Sequence, residues 1–369
     1  MKQPVTYVGL DLGTFKTAIT SSEGKRSVIP SVVGWPKDRD ARSLLGRELL
    51  FGEEALTHQS RLNVVRPFHR GALKYVDGAD VGIGPEDIAK HKEAALLLVQ
   101  HVVSNLEVPA GRPVYGVIGV PSRATLLNKQ VIINSAKRTL DAVMVVADPF
   151  NIAYGIDQFS NSMVVDIGAG TIDICPMYGP YPKGEDQITL PIGGDMIDDE
   201  LQRLIMQSQP NAELSLDLAR QIKEEFGFVG NGEAKAIATL PMAGKPTQID
   251  VTSQSNAACR TIVPGIAEAL LELVGKFDRD FQKSLFNNIL LAGGGGQLNG
   301  LDRQIVKALK PYGAANVTQV KDSVFAGATG ALKLATNMPA DYWQQLVGQT
   351  ASVKPTKQTA THVPLRRAA

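Results

Sequence analysis

Three aspartates stand where chemistry could be done. Asp11 opens the stretch Asp11-Leu12-Gly13-Thr14-Phe15-Lys16-Thr17, Asp166 opens Asp166-Ile167-Gly168-Ala169-Gly170-Thr171-Ile172-Asp173, and Asp148 directly precedes Pro149. Glycine in a tight turn lets backbone approach a ligand, and turn amides aimed into a concavity bind phosphate oxygens. Thr14 and Thr17 add hydroxyl donors, Lys16 adds a positive charge, and Asp11 is an oxygen ligand suited to Mg²⁺, directly or through its waters. One such stretch alone reads as an ordinary hairpin. Two of them, each preceded and followed by a short apolar run, read as an internal repeat, Tyr7–Ile19 and Met163–Ile174, whose copies could hold a polyphosphate and Mg²⁺ from opposite sides. A third element, Gly293-Gly294-Gly295-Gly296, follows the apolar run Asn288–Ala292. Each glycine costs roughly 0.5–1 kcal/mol of ordering entropy, so the run points to a surface that a flat ring or a phosphate can approach closely.

These stretches need strands before them and helices behind them. Short β-rich runs at Val5–Leu10, Ala18–Ser21, Val114–Val120, Val143–Val146, Met163–Ile167, Ile172–Met177 and Asn288–Ala292 alternate with helical patterns. The helices are expected at Pro85–Asn105, Ala124–Leu140, Asp195–Met206, Leu214–Phe226, Asn256–Val274, Asn299–Leu309 and Ser323–Ala335. The alternation signals an α/β protein. From Lys37 to about Gly71 charge and turn residues increase, as in a small inserted subdomain, and Gly179–Asp186 reads as a Pro/Gly/charge-rich turn. From Gly348 onward apolar periodicity stops, and 348–369 is expected to be a disordered tail, either plainly solvated or an interaction arm.

At about 150 residues per domain, the 369 residues predict two to three domains. Lys+Arg 38 against Asp+Glu 37 leaves a net charge of +1, which argues against a dedicated nucleic-acid or membrane-surface protein. Two cysteines, Cys175 and Cys259, are too few for a disulfide framework or a zinc ribbon and fit a reducing cytoplasm. The start, MKQPVTYVGLDLG, carries no signal-peptide apolar stretch, and no apolar run reaches the roughly 18 residues of a membrane span. The five histidines, at 58, 69, 91, 101 and 362, show no metal-ligand spacing.

Taken in order, the glycine elements resemble the motifs of the actin, Hsp70 and sugar-kinase ATPase superfamily. Asp11–Thr17 and Asp166–Thr171 are similar to its two phosphate hairpins and Leu291–Gly296 to its adenosine motif. Asp148–Gly155 and Ala326–Ala331 are similar to its two connecting helices. Within it, Ile118–Ser122, Ile192–Asp198 and Ile222–Gly227 resemble the bacterial actins related to MreB, and residues 31–38, 118–124, 164–175, 224–230 and 315–322 resemble those of the MreB/MamK type. The resemblance covers about residues 5–345 and implies an actin-like, ribonuclease H-like duplicated fold with two large domains around an ATP cleft, each carrying a smaller inserted subdomain. The first core (IA) would comprise 1–36, 72–150 and 321–347, with subdomain IB at 37–71. The second core (IIA) would comprise 151–190 and 256–320, with subdomain IIB at 191–255. The resemblance further implies ATP/ADP and Mg²⁺, with Asp11 and Asp166 at the metal. Gly13, Thr14, Phe15 and Lys16 would line one side of the phosphates, and Gly168, Ala169, Gly170 and Thr171 the other. Gly193, Lys223, Glu224, Gly293, Gly294 and Gly295 would lie at the nucleoside. Without the resemblance, Lys223-Glu224-Glu225 reads as a solvated helix face.

Asp148 sits where the superfamily places a Glu or Gln that orients the attacking water. Its carboxylate could orient water as a weak base, or serve as the N-cap of the following helix. The implied function is a Mg-dependent ATPase that polymerises head to tail into cytoplasmic cytoskeletal filaments. Magnetosomes or another organelle would be its cargo, through adaptor proteins, without nucleic acid or direct membrane insertion. A small-molecule kinase would need a substrate pocket and a base for the acceptor hydroxyl, for which no motif is visible. An Hsp70-like chaperone would need a peptide-binding domain far larger than the roughly 20-residue tail.

Overall fold

The structure, a computed structural model, describes residues 4–69, 72–73, 84–231 and 235–351. Two five-stranded sheets share one plan. In the first, β1 (Thr6–Leu12), β2 (Lys16–Ser21) and β3 (Arg26–Pro30) form an antiparallel run. On the other side of β1, β4 (Val114–Val120) and β5 (Ala142–Ala147) add in parallel, giving the order β5-β4-β1-β2-β3. In the second, β6 (Ser160–Ile167), β7 (Ile172–Tyr178) and β8 (Ile188–Leu190) repeat the antiparallel run. There β9 (Ile289–Ala292) and β10 (Val317–Gln319) repeat the parallel pair, so the order is β8-β7-β6-β9-β10. The repeated sequence is thus a repeated topology, and it brings Asp11 and Asp166 to equivalent strand ends.

Strands buried on both faces read as continuous apolar runs, and β4 and β9 do so. One core gathers Val8, Leu10 and Ile118 under Leu98 and Val102 of the helix Pro85–Ser104. The other gathers Met163, Val165, Ile167 and Leu291 with Leu270 and Ile305. Between them α1 (Asp148–Gly155) packs on the long helix Ser323–Asn337, and small residues set the distance. A Cβ at Gly9 would stand 2.0 Å from the Ala328 carbonyl oxygen, and one at Gly330 would stand 1.7 Å from that of Asn151. Backbone therefore lies directly on backbone, which fixes α1 relative to β1.

The helix expected over 256–274 is two helices, Thr252–Arg260 and Val263–Val274. Pro264 explains the break, since it offers no N–H and disfavours helical backbone before it. The small sheet of Val33–Pro36, Leu50–Phe51 and Leu62–Val65 takes in residues just before 37, which the sequence reading gave to the first core. At the other end, the helix Ala340–Ala351 runs into the stretch read as tail from 348; residues 352–369 lie outside the described residues. Trp343 anchors this helix. It is 1% exposed, donates Nε1–H to the Ala335 carbonyl at 3.1 Å and stacks on Tyr115 with ring centroids 5.3 Å apart. Trp343→Phe keeps the stack and loses the hydrogen bond, so it is expected to cost about 1–2 kcal/mol in urea unfolding. Among the described residues no helix is long and apolar enough to cross a membrane.

Candidate nucleotide site

The first hairpin turns at Gly13, Thr14 and Phe15, between β1 and β2. Ser31, which the sequence reading passed over, braces it. Its Oγ donates to the Gly13 carbonyl at 2.8 Å, and its N–H donates to the Phe15 carbonyl at 2.7 Å. Thr17 pairs with the same Oγ at 2.8 Å and is fully buried, so its hydroxyl serves the brace and not a ligand as expected. Asp11, partly buried, has Oδ2 2.8 Å from the place a Cβ on Gly327 would occupy.

The second hairpin closes through the Gly168 N–H on the Thr171 carbonyl at 2.9 Å, with Ala169 and Gly170 between them. The first amides of α2 (Gly194–Ser208) hold its outer face, where Gly194 N–H donates to the Gly168 carbonyl at 3.0 Å and Asp195 N–H to that of Ala169 at 2.8 Å. Gly193 belongs to this support: a Cβ there would lie 2.5 Å from the Ala169 carbonyl oxygen. It packs against the backbone of the second hairpin. Thr171 donates its hydroxyl to Asp173 Oδ2 at 3.2 Å. Asp173 also accepts from Thr189 Oγ1 at 2.6 Å and from the Ser122 N–H at 2.8 Å. This carboxylate, also missed, ties the end of β4 to the second hairpin.

Asp166 Oδ1 is 2.5 Å from where a Cβ on Gly293 would stand, and Gly293 has φ +72, a backbone suited to glycine. A Cβ at Gly295 would meet Ile167 Cγ2 at 2.3 Å, whereas Gly294 has nothing within 4 Å. Of the three glycines expected at the nucleoside, Gly294 is open and the other two seat the run on the end of β6. Ser323 Oγ holds the Gly293 carbonyl at 3.1 Å.

Asp148 is the first residue of α1 and is 8% exposed. The cap position belongs to Ala147, and no side chain caps the helix. The N-cap reading is therefore corrected; the Ala147 N–H instead donates to Tyr181 Oη at 3.1 Å. Asp148 Oδ1 is turned onto Gly119, 1.7 Å from its Cβ position, and has no hydrogen-bond partner.

Burial pushes the Asp11 carboxyl up to about 6. Burial, then Asp11, Asp166 and Asp173, raise Asp148 well above the usual carboxylate range, and burial, then Asp11 and Asp173, do the same to Asp166. Desolvated carboxylates that repel one another favour a proton or a cation among them. Among the described residues no three His, Cys, Asp or Glu side chains form a metal cage by themselves. The donor set fits Mg²⁺, which keeps several waters and needs only one or two carboxylates beside substrate phosphates.

Across the mouth, Lys16 Nζ pairs with Glu224 Oε1 at 3.4 Å, with both side chains near half exposed. The Phe15 ring carries the Arg220 guanidinium at 3.8 Å and that of Arg66 at 4.8 Å. Arg220, on α3 (Leu216–Phe226), is fixed by Asp198 Oδ2 at 3.0 Å, Asp195 Oδ1 at 3.2 Å and Asp217 Oδ1 at 3.3 Å. Lys223 turns its ammonium to Asp198 at 2.7 Å and to the Gly194 carbonyl at 3.0 Å, so its head group braces α2 against α3. Beyond Glu224 a cavity of about 370 Å³ opens between the end of α3 and the turn after β9, lined by Glu225, Phe228, Gln297, Asn299 and Arg303 among others.

Residues 5–340 match the family model described as MreB/Mbl protein. The actin-like protein MamK of Paramagnetospirillum magneticum is 39% identical over 340 residues, which cover 92% of this chain and 95% of the relative. Among solved structures, the MamK double helical filament superposes with a TM-score of 0.86 at 38% identity, covering 91% of this chain and 100% of the other. A non-polymerising MamK mutant bound to AMPPNP, also 38% identical with the same coverage, gives 0.69. The two hairpins and the glycine run thus sit in an actin-like fold, and the chain belongs to the MreB/Mbl family.

Proposed function

We propose that this chain is an ATP-binding, ATP-hydrolysing actin homologue that polymerises into cytoplasmic filaments and organises magnetosomes or another organelle. The observation that carries the reading is the convergence of Asp11 and Asp166, one in each duplicated hairpin, with Asp148 at the start of α1, where desolvation and like charges raise the carboxyls. Two likenesses support it, one to a MamK filament and one to a MamK mutant bound to AMPPNP. The two cores and two inserted subdomains are assigned as the sequence reading set them, apart from the shifts at 33–36 and 348–351. Adaptor proteins on the organelle are the further partners, and neither nucleic acid nor membrane insertion has a part.

In this reading Gly13–Lys16 and Gly168–Thr171 cradle the phosphates with turn amides, and Glu224 and Gly294 border the nucleoside. Asp11 and Asp166 would hold Mg²⁺, which would supply neutralisation of phosphate charge. Asp148 orients the attacking water. A subunit contact that does not close on itself then generates an open filament.

The test is sedimentation with electron microscopy, with ATP and Mg²⁺ present or withheld. Filaments that pellet only with nucleotide are expected. Phosphoryl transfer to a small acceptor without filaments would instead establish a kinase. The clasp at the mouth gives a second expectation. A cation–π contact is worth about 0.5–2 kcal/mol, so Phe15→Ala should speed release of a fluorescent ADP analogue by roughly tenfold. An unchanged rate would show that the ring does not hold the cleft.

A further inference from the structure

Asn151 lies one helical turn beyond Asp148 on α1, a spacing that puts both side chains on one face. It is 0% exposed, and neither its Nδ2 nor its Oδ1 has a hydrogen-bond partner. Buried amides are seldom left so, and an apolar side chain would fill the same place without that penalty. Asp148 Oδ1 has the same want. Both stand over the bare Cα of Gly119 on β4, the carboxylate oxygen 1.7 Å and the amide nitrogen 3.4 Å from where a Cβ would be. They do not bond directly, and a group that both donates and accepts would satisfy the two at once. Water does this in buried polar sites.

The amide is also held from behind. The Asn151 carbonyl rests against Gly330, where a Cβ would come within 1.7 Å, so α1 cannot turn to carry the side chain elsewhere. Its neighbours Ile152 and Ala153 are buried in an apolar cluster, which leaves Asn151 as a polar residue facing the carboxylate side.

We propose that Asn151 is a positioning residue for hydrolysis: through one buried water over Gly119 it fixes the Asp148 carboxyl in the orientation that serves the attacking water. The proposal rests on the reading of Asp148 given above. The amide needs only one N–H toward the bridge, and its carbonyl oxygen can accept from the water's other side, so either face of the amide suits the role.

Single-turnover phosphate release, ATP affinity and melting temperature on the full chain test it. Asn151→Ala should slow phosphate release by on the order of 10- to 100-fold, the cost of a misplaced catalytic group. ATP affinity should not change and the melting temperature should not fall. Asn151→Ser, which keeps a small donor and acceptor, should retain most of the rate. In an Asp148→Ala background Asn151→Ala should add nothing. A wild-type rate in Asn151→Ala, or equal slowing with and without Asp148, overturns the proposal. So does a loss of rate that comes with lost ATP affinity and a lower melting temperature, because that is a packing defect. If Asp148→Ala itself hydrolyses normally, the reading of Asp148 has failed first, and that result is separate from the others.

Discussion

Asp148→Ala is expected to bind ATP and polymerise while hydrolysing it on the order of 10²–10⁴-fold more slowly, so that its filaments persist after ATP addition. The two hairpins do not depend on this side chain: Ser31 holds the first, and the first amides of α2 hold the second. Stability separates this role from a helix cap. Loss of a capping aspartate costs about 1 kcal/mol, but no capping bond exists here, and Oδ1 is buried without a partner. The melting temperature of Asp148→Ala should therefore not fall. Asp148→Glu restores a carboxylate with one more methylene. The carboxylate already lies against Gly119, and turnover should match or exceed wild type if the added length brings it nearer the attacking water. Phosphate release, pelleting and melting on the three proteins decide the matter. A variant that melts lower yet releases phosphate at the wild-type rate would leave Asp148 with a structural role alone.

The duplicated frame was legible because its strands are long, apolar and followed by Asp-x-Gly, and the repeat of that spacing marked the two hairpins. The strands that escaped are those where burial does not write itself into the sequence. β3 begins with the exposed Arg26, and β10 buries Val317 alone. The hairpin Ile237–Met242 and Lys245–Asp250 turns at Ala243 and Gly244, both at positive φ, and alanine there is not a turn signal. In the site, local motifs placed the aspartates and the turns correctly on their strand ends. What sequence could not supply were contacts made by residues far apart. Ser31 behind Gly13, Asp173 under Ser122, and Arg66 with Arg220 on Phe15 depend on how separate elements pack. Glycines were read as places for a ligand. Several are places for other parts of the chain: Gly193 seats the backbone of the second hairpin, and Gly119 makes room for the Asp148 side chain.

Asp11→Asn and Asp166→Asn should separate the stability of the nucleotide-free protein from the Mg²⁺ role proposed for the two carboxylates. Each carboxylate is desolvated, with its proton affinity raised, so at neutral pH its ionised form opposes folding. An amide of nearly the same shape removes that charge. The melting temperature of the nucleotide-free variants should equal or exceed wild type. The gain that Mg²⁺ and ATP together add to the melting temperature of wild type should shrink in both, because binding to the folded state alone is what produces it. Lewis-acid stabilisation of phosphoryl transfer is worth several kcal/mol, so hydrolysis should fall by on the order of 10²- to 10³-fold. The two sites should not be equivalent in packing. Asp166 Oδ1 lies 2.5 Å from the Cβ position of Gly293, at the left-handed turn that starts the glycine run, whereas Asp11 faces Gly327 within a regular helix. Asn at 166 should therefore also loosen ATP binding through the run, and Asn at 11 should affect the metal more selectively. Normal turnover by both variants at limiting Mg²⁺ would remove the two aspartates from the metal site, while leaving the hairpins as the phosphate cradle.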